Sequence, residues 1–352
     1  MRKYIFFALT VALFFLFSNA LAEDVLSSNG AAGSPTPDPI VTELPVQPET
    51  EAECTALPDE LPNQTDVSEP EVPPVVIDRW NDPEAYPDFE FPEGAELLEI
   101  WFPQIHDADA ALLVYNGQIW MIDCADDTRM GPRVNIMLDF LQVKTIDRII
   151  NTHPHYDHLN GLKRIADRIT VKELDICFPV NVNEHMVNAV KIANENGIAI
   201  SEFGDEDDLP MGDGKVNLHV WKKTDEQADM NEQSAQIRIT YGERSILFMA
   251  DMERYGQQIL LERVEPELLQ SDILKYPHHG KTAMLQECYD AIAPQMVVIT
   301  NAISVPHVRE SEKFLLASGQ THVVYTVRPL VHLVTDGTTW LCERVHSELT
   351  VQ

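Results

Sequence analysis

The sequence predicts an α/β fold in which two mixed β-sheets face each other and helices cover their outer faces, an αββα sandwich. A series of two strands followed by helices and further strands runs through residues 97–221, and a second such series begins at residue 235. Each series can form one sheet, whose outer apolar face needs a cover of helices. Polar residues follow several apolar strand ends, which predicts functional loops at one edge. About 255 residues are enough for one such domain.

The part of the chain before this domain differs from it in composition. A basic start at Met1-Arg2-Lys3, an apolar stretch and the small residues Ala20-Leu21-Ala22 predict a signal peptide over residues 1–22 and a secreted, extracellular protein. An uncleaved membrane anchor is the alternative. Residues 23–96 are rich in Pro, Asp, Glu, Ser and Thr, which predicts an acidic, disordered linker. Residues 97–352 then form the folded domain, without a later segment able to span a bilayer.

One aromatic segment of this linker, from Trp80 to Phe91, could lie against the domain as a strap; a plain linker is the interpretation that its composition favours. The chain has five cysteines, an odd number that is too small and scattered for a disulfide framework. Cys124 lies at a strand end and is expected to be a buried thiol. Because the number is odd, at least one cysteine must be free or pair between chains if the protein is exported.

The net charge restricts the class of ligand. The formal charge is −32 at pH 7, and the domain remains acidic without the linker. A protein that holds long DNA by releasing counterions needs a basic surface. Long DNA is therefore an unfavourable partner, and a small or phosphate-containing substrate is expected; association with the cell surface is compatible with the linker.

The elements of the first series follow from turns and apolar periodicity. Strands 110–115 and 118–122 flank the hairpin turn Asn116-Gly117, and Pro132 suits the first turn of the next helix. The remaining elements alternate between strand and helix. They are the strand 146–150, a helix over 159–168, the strand 174–180, a helix over 184–196 ended by Gly197, and the strand 216–221.

The second series repeats the plan. Its first two strands, 235–241 and 245–249, meet at Gly242-Glu243. The further elements are a helix over 253–263, the strand 273–276, a helix after Thr282, the strand 296–300, a helix over 308–317 and two closing strands around Asp336-Gly337.

A histidine-rich motif follows the strand 146–150. Its ligand-type residues are His153, His155, Asp157 and His158. One loop with this spacing can offer two imidazoles to one side and an Asp and a His to the other, so it can serve two adjacent divalent metals. Histidines scattered by chance would have no reason to fall at this spacing in a strand-to-helix loop.

Three further strand ends carry residues of the same chemistry. Asp123 ends the second strand, where a carboxylate could orient the ligand loop. Asp251 follows the strand 245–249 and is placed to bridge two metals. His278 and His279 follow the strand 273–276 in the sequence Pro-His-His-Gly. The sequence therefore predicts that these ends converge on one site.

In this order the motifs resemble the metallo-β-lactamase superfamily, and within it the hydrolase domain of ComEC-type competence proteins and their secreted relatives. The resemblance rests on the following segments: Ile122-Asp123, His153-x-His155-x-Asp157-His158, Asn231-x-x-Ser234, Ala250-Asp251 and Leu274-Lys275-Tyr276-Pro277-His278-His279-Gly280. It covers residues 97 to about 337. It implies an αββα metallo-β-lactamase fold.

The resemblance also implies a metal-ligand set. His153 and His155 would hold the first metal, Asp157, His158 and His279 the second, and Asp251 would bridge them. The two metals would lower the pKa of a bridging water and so supply hydroxide as the nucleophile. Histidine and carboxylate ligands suit zinc, with manganese and iron as alternatives.

Residues around the metals have implied roles as well. Asp157 and Asp251 would act with His278, which would stabilise charge on the substrate or protonate the leaving group. The positions expected to support the ligands or contact the substrate are Asp123, Asn231, Ser234, Lys281 and His307.

The chain departs from the family pattern at several positions. The opening Gly-Gln-Gly-Asp element is replaced by the segment from Gln104 to Asp109, Lys281 stands where a Ser or Thr is usual, and the late Gly-His-Pro element is reduced to Pro306-His307-Val308. A third imidazole for the first metal is missing from the motifs. His185, in a predicted helix, is interpreted as a surface residue, and His219, in a strand, as a structural one.

The predicted function is a secreted, metal-dependent hydrolase of a phosphodiester or related ester. ComEC-type domains are implicated in degrading one DNA strand, and exported relatives include esterases that remove phosphorylcholine from cell-wall polymers. The incomplete first site favours a different class, a non-catalytic one-metal module that binds a ligand or the cell wall. A lactonase or β-lactamase-type hydrolase is the third alternative.

Overall fold

The structure is a computed structural model that describes residues 74–222, 225, 227–302, 304–327 and 329–346. Its strands are, in chain order, β1 (Val76–Asp78), β2 (Leu98–Phe102), β3 (Ala110–Tyr115), β4 (Gln118–Cys124), β5 (Thr145–Ile146), β6 (Arg148–Ile150), β7 (Thr170–Val171), β8 (Glu173–Ile176), β9 (Ala199–Glu202), β10 (Glu206–Met211), β11 (Val216–Trp221), β12 (Gln236–Tyr241), β13 (Arg244–Phe248), β14 (Ile273–Lys275), β15 (Met296–Ile299), β16 (Val323–Tyr325), β17 (Leu330–Thr335) and β18 (Trp340–Val345).

The helices alternate with these strands. They are α1 (Gly131–Phe140), α2 (Tyr156–Leu159), α3 (Leu162–Ala166), α4 (Glu184–Asn196), α5 (Arg254–Arg263), α6 (Pro266–Leu269), α7 (Gln286–Ile292) and α8 (Val308–Ala317), with a 3-10 turn at Pro277–Gly280. Within the described part of the chain, none of the helices has the length and apolar character needed to cross a bilayer.

The strands form two large mixed sheets. The order in the first sheet is β1-β18-β17-β2-β3-β4-β6-β8-β9, and the order in the second is β10-β11-β12-β13-β14-β15-β16. A separate short pair joins β5 and β7. Three apolar layers follow from this arrangement. Ile100, Ile122, Ile237 and Phe248 lie in the layer shared by both sheets, and one further layer lies between each sheet and its helices. The predicted αββα sandwich is confirmed.

The topology brings the polar strand ends to one edge. β4 and β6 are parallel neighbours in the first sheet, and β13, β14 and β15 are parallel neighbours in the second. The carboxyl ends of parallel strands lie at the same edge, where ligand sites of open α/β sheets form. Gly161 holds the loop after β6 against the end of β4, since its amide donates to the Ala125 carbonyl at 2.9 Å and a Cβ there would lie 1.8 Å from the Cys124 carbonyl oxygen.

Several details differ from the sequence prediction. The helix predicted over 159–168 is two short helices, α2 and α3, separated by Asn160-Gly161. The acidic segment Glu206–Met211 is an edge strand whose alternate side chains face solvent. The sequence analysis did not predict this strand, because its residues are mostly acidic. Cys124 is buried as predicted, and its thiol donates to the carbonyl of His158 at 3.3 Å.

The linker interpretation is wrong for residues 74–96. β1 pairs in parallel with β18, and Ile77 and Trp80 are 1 % and 6 % exposed. Asp78 Oδ2 lies 2.7 Å from His322 Nδ1, and the Arg344 guanidinium stacks over the Trp80 ring. A few apolar side chains thus bind the segment to the domain despite its acidic composition. Residues 1–73, which include the predicted signal peptide, lie outside the described residues.

We expect Trp80→Ala to lower the free energy of unfolding by about 3 kcal/mol, because truncation of a buried aromatic leaves a cavity. Urea denaturation followed by circular dichroism measures the change. The control is Tyr86→Ala, because the side chain of Tyr86 is 38 % exposed on the same segment. Equal stability of Trp80→Ala and wild type would show that this segment does not pack stably on the domain and is a linker.

Candidate metal centre

The histidine motif lies in the loop between β6 and α2. His153 and His158 are fully buried, Asp157 is nearly so, and His155 is half-buried. His153 Nε2 lies 3.1 Å from His155 Nδ1, so these two rings form one group. Helix α2 begins at Tyr156 and carries Asp157 and His158, and the centroid of the His158 ring lies 4.1 Å from that of His153. The loop therefore brings its four donors close together.

Asp251 lies between the two predicted ligand sets. Its Oδ2 is 3.9 Å from His153 Nε2, whereas its Oδ1 is 3.1 Å from His158 Nε2 and 3.4 Å from His279 Nε2. His279 Nε2 is also 3.4 Å from Asp157 Oδ2. The structure thus brings together all six residues predicted as ligands. The two oxygens of Asp251 face opposite sets, which is the arrangement that a bridging carboxylate requires.

Three imidazoles are oriented by contacts on their Nδ1 side. His158 Nδ1 lies 2.7 Å from Asp123 Oδ2, and His153 Nδ1 lies 3.2 Å from the Thr152 hydroxyl, which itself donates to Asp123 at 2.6 Å. His279 Nδ1 lies 3.0 Å from Asp109 Oδ1. A hydrogen bond at Nδ1 fixes the ring and leaves Nε2 free for a metal. Asp123 therefore lies where a supporting carboxylate was predicted.

Asp109 and Lys275 are buried site residues that the sequence reasoning missed. The two oxygens of Asp109 are both occupied, Oδ1 by His279 and the Thr300 hydroxyl (2.5 Å) and Oδ2 by the Lys275 ammonium. Asp109, His158, Asp251 and His279 each offer a ligand atom within 4.8 Å of the others. Because Asp109 contacts Nδ1 rather than the Nε2 side, we assign it to orientation of His279. A charged Lys275 at the end of an apolar strand was the signal available in the sequence.

The charges of the centre are strongly coupled. Burial would raise the pKa of Asp251, but the His158 and His279 rings outweigh it and hold that pKa well below its usual range. Burial would lower the pKa of His279, but Asp251 and Asp109 raise it to about 10. Burial lowers the pKa of His153, which therefore stays neutral at pH 7. The carboxylates thus supply negative charge that only positive charge in the same cavity can balance.

The donor set fits divalent metals. His158 Nε2, Asp251 Oδ1 and His279 Nε2 are buried, and their contacts with one another at 3.1 and 3.4 Å lack hydrogen-bond geometry, so none of the three atoms has a hydrogen-bond partner among the described residues. Buried polar atoms are nearly always paired, so unpaired atoms that face one another indicate a bound ion. Imidazole and carboxylate donors suit zinc, manganese or iron, and the geometry leaves the identity of the metal open.

His278 faces the same cavity from the side. Its Nε2 lies 3.8 Å from Asp251 Oδ2, and its Nδ1 lies 2.9 Å from Glu253 Oε1. Glu253 stands at the N-cap position of α5, but its side chain makes no capping bond there. Glu232 instead accepts from the amides of Tyr255 (3.2 Å) and Gly256 (2.5 Å). The carboxylate of Glu253 is thereby free to contact His278.

The remaining predicted residues lie at different distances from the centre. Lys281 reaches the mouth of the site and pairs with Asp107 at 2.7 Å. Asn231 lies beside His155 and favours the charged form of that ring, although burial lowers its pKa overall. Ser234 is buried, and its hydroxyl has no partner among the described residues. His307 is exposed at the start of α8, and no hydrogen bond or ion pair joins its ring to the described residues of the centre.

The two histidines considered for the first metal stay outside it. His185 lies on α4, where its Nδ1 is 3.1 Å from Asn160 Oδ1. The rings of His219 and Trp221 meet edge to face, and His219 pairs with Asp208 at 2.8 Å. Both placements agree with the surface and structural interpretations. The first set of donors therefore has two imidazoles, and the second has two imidazoles and Asp157.

Comparison with known proteins gives a family and one curated relative. The family model described as "Metallo-beta-lactamase superfamily" matches residues 106–295. ComE operon protein 3 of Bacillus subtilis (strain 168) is 26 % identical over 170 residues, which are 47 % of this chain and 21 % of that protein. The chain thus spans about a fifth of the length of this relative. Both findings confirm the resemblance seen in the sequence.

Solved structures with a similar fold include proteins of several activities. The diiron β-hydroxylase CmlA of Streptomyces venezuelae has a TM-score of 0.46 and 16 % identity over 68 % of this chain and 55 % of its own. A diphosphatase of the PhnP family has a TM-score of 0.43 and 13 % identity over 70 % of this chain and 99 % of its own. A metallo-beta-lactamase of Cronobacter sakazakii has a TM-score of 0.36 and 16 % identity over 62 % of this chain and 95 % of its own.

We expect the protein to retain about two divalent metals after dialysis, as two-metal sites do, and Asp251→Ala to retain less than one. His155→Ala should lose only the metal of the first set. Elemental analysis measures the content, and far-ultraviolet circular dichroism shows that each variant is folded. Equal metal content in wild type and both folded variants would refute the assignment.

A second prediction concerns Asp109. We expect Asp109→Asn to weaken binding of the metal that His279 would hold about 10- to 100-fold. Loss of the carboxylate that orients His279 lowers the basicity of this ligand. Titration against metal buffers measures the affinity. Asp139→Asn, on the exposed side of α1, is the control. An unchanged affinity in Asp109→Asn would mean that His279 needs no such support.

Proposed function

The chain belongs to the metallo-beta-lactamase superfamily, and on that premise we propose that it is a metal-dependent hydrolase of phosphodiesters or related esters. The observation that carries this proposal is the position of Asp251, whose two oxygens face separate sets of histidines. A carboxylate shared in this way is typical of two-metal hydrolytic sites. We propose zinc as the metal, with manganese and iron as alternatives.

The residues of the chain divide into holding and reacting groups. His153 and His155 would hold one metal, Asp157, His158 and His279 the other, and Asp251 would contact both. When bound, such a pair supplies a nucleophile by lowering the pKa of a water towards about 7 and neutralises charge on the reacting oxygens.

Residues behind the proposed ligands keep this arrangement in place. Asp123 and Asp109 hold the rings of His158 and His279 by their Nδ1 atoms. Lys275 balances the charge of Asp109. Preorganised charge in a dry site stabilises a transition state more than the same groups would in water.

His278 is the group that we assign to the leaving oxygen. Glu253 Oε1 lies 2.9 Å from His278 Nδ1, and His278 Nε2 lies 3.8 Å from Asp251 Oδ2 in the cavity. Burial lowers the pKa of His278, whereas Asp251 and Glu253 favour its charged form. His278 would deliver its Nε2 proton to the leaving oxygen when the ester bond breaks, and Glu253 would stabilise the charged ring from which that proton leaves. Asp157 and Asp251 hold the reacting groups in position from the opposite side.

Two observations support an anionic ester as the substrate. The protein is acidic overall, but Lys281 stands at the mouth of the site together with Arg129. Cations in an otherwise acidic surface favour binding of an anionic group at that place. The family model covers residues 106–295, which include all six proposed metal ligands, and the similarity to ComE operon protein 3 supports a place in the same family.

Three substrates tested side by side separate the alternatives. We expect turnover of bis-p-nitrophenyl phosphate, weak or no turnover of long single-stranded DNA, and none of a chromogenic cephalosporin. Turnover of the cephalosporin alone would favour the β-lactamase-type alternative. Ligand binding without turnover of any substrate, with saturating zinc and manganese, would favour the one-metal binding module.

We also propose that the protein acts outside the membrane. The support is the basic, apolar and small-residue order of residues 1–22, followed by an acidic segment. The intact mass of the protein recovered from culture medium tests this, since removal of the signal peptide would leave a chain that starts at Glu23.

A kinetic prediction follows from the contact between Glu253 and His278. We expect Glu253→Ala to lower kcat about 10- to 100-fold for a phenyl ester of a nucleotide, because general acid catalysis contributes about 10²- to 10⁴-fold and Glu253 only supports the acid. The same substitution should lower kcat for the p-nitrophenyl ester much less, since p-nitrophenolate leaves without a proton. Glu253→Gln keeps a polar side chain of the same size but removes its charge. Its kcat for the phenyl ester should lie between that of wild type and that of Glu253→Ala.

The control for this prediction is Glu310→Gln on the exposed face of α8. Metal content and KM should remain unchanged in the Glu253 variants, which separates a role in proton transfer from a structural one. Equal losses for both leaving groups would contradict the assignment of His278 as the acid.

A further inference from the structure

Two cations at the mouth of the metal centre share one carboxylate. Lys281 Nζ lies 2.7 Å from Asp107 Oδ1, and Arg129 Nη2 lies 4.0 Å from Asp107 Oδ2. Lys281 follows the Pro-His-His-Gly turn, Arg129 precedes α1, and Asp107 precedes β3. Three loops from both sheets therefore meet here. We call Asp107, Arg129 and Lys281 the Asp107 rim.

The Asp107 rim is fixed to the metal centre. The amide of Asp107 donates to the carbonyl of Thr300 at 3.0 Å, and the amide of Asp109 donates to the carbonyl of Asp157 at 3.1 Å. Asp107 also has a positive φ of 58°, a conformation that non-glycine residues adopt rarely and that tends to cluster at functional sites. The loop thus fixes the backbone of Asp107, while its carboxylate reaches both cations only through side-chain ion pairs.

Lys281 lies close to the metal centre. It follows the proposed ligand His279 by two residues, and its partly buried side chain pairs with Asp107. The ammonium of a lysine is charged at neutral pH, so a positive charge stands beside the proposed metal ligands. An anion that binds there would lie beside a group that reacts at the metals.

Arg129 has donors that the protein leaves open. Its guanidinium makes ion pairs at 4.0 Å with Asp107 and 3.8 Å with Asp126, but no side-chain hydrogen bond with a described residue. Asp126 Oδ1 accepts from the amides of Thr128, Arg129 and Met130, whereas its Oδ2, the oxygen nearer the Arg129 guanidinium, lies beyond hydrogen-bond distance. The exposed Arg168, by contrast, has Asp139 at 2.7 Å. The planar fork of Arg129 is therefore available for a ligand.

We propose that the Asp107 rim binds a second anionic group of the substrate, a phosphoryl group next to the ester that is cleaved. The proposal rests on the proposed function and narrows its substrate class to esters with a further phosphate. An Arg fork and a Lys ammonium that converge are the chemistry that recognises phosphate. Asp107 occupies the position of that phosphate in the free protein and is displaced when the substrate binds.

This arrangement has a consequence that a structural ion pair would not have. Removal of the charge of Asp107 should strengthen binding of the second phosphate, because the competing anion is lost while both cations remain. Removal of either cation should weaken it. A purely structural role for the Asp107 rim would instead make all three substitutions harmful.

The experiment measures the dissociation constants of thymidine 5′-monophosphate and thymidine 3′,5′-bisphosphate on the metal-loaded protein by calorimetry at constant ionic strength. The two ligands differ only in the second phosphate. We expect the bisphosphate to bind about tenfold more tightly, a difference that one charge-assisted contact can supply. Arg129→Gln and Lys281→Met should bring this ratio close to about one, and Asp107→Asn should raise it several-fold.

The matched controls are Arg168→Gln, Lys313→Met and Asp167→Asn, because these residues form exposed ion pairs elsewhere. A wild-type ratio of about one, or a ratio that survives both cation substitutions, would overturn the proposal. A fall of the ratio in Asp107→Asn would also overturn it.

The test does not depend on turnover. The p-nitrophenyl ester of thymidine 5′-monophosphate, with and without a 3′-phosphate, gives a parallel kinetic comparison. If neither ester is cleaved while the binding ratio behaves as expected, the proposed function fails and the phosphate site stands. If both esters are cleaved at equal kcat/KM and the binding ratio is about one, the phosphate site fails and the function stands.

Discussion

The charge balance around Asp251 is the constraint on which the rest of the site depends. This carboxylate lies within 3.9 Å of His153, His158 and His279. It is almost completely buried, so bulk water does not screen its charge. A buried charge persists only where opposite charge or metal coordination offsets the loss of hydration. The loops of both sheets must therefore keep their donors directed at one cavity, and the fold around them is organised accordingly.

The two sheets contribute to this cavity in similar ways. In the first sheet Asp123, at the end of β4, holds His158 by its Nδ1 atom. Asp109, just before β3, does the same for His279, which belongs to the second sheet. The pair of Asp109 with Lys275 thus joins the two sheets by a buried ion pair directly beneath the histidines. Removal of one partner from such a pair costs much more than the pair contributes, so this contact also makes the site sensitive to misplacement of the sheets.

The mouth of the site differs from its interior. Interior donors are buried and already oriented, whereas Arg129 is half exposed and makes only long ion pairs. Near the start of α5, Glu232 accepts the hydrogen bonds of the helix amides, and Glu253 therefore remains available to contact His278. Oriented interior groups suit the reaction, and more loosely held groups at the mouth suit recognition of the substrate. The segment from β1 to Trp80 lies at the far edge of the first sheet, beside β18.

The sequence by itself determined the two-sheet fold and the histidine motif, because strand periodicity and ligand spacing are local properties of the chain. The positions of Asp123, Asp251 and His279 could also be predicted, since each lies within a few residues of the end of an apolar strand. The tertiary structure alone decided the partners of those residues. Asp109 reaches His279 across 170 positions of the chain and Lys275 across 166, and no local pattern encodes contacts of that range. The packing of residues 74–96 was likewise undecidable from composition, because a few buried side chains outweigh the acidic residues around them.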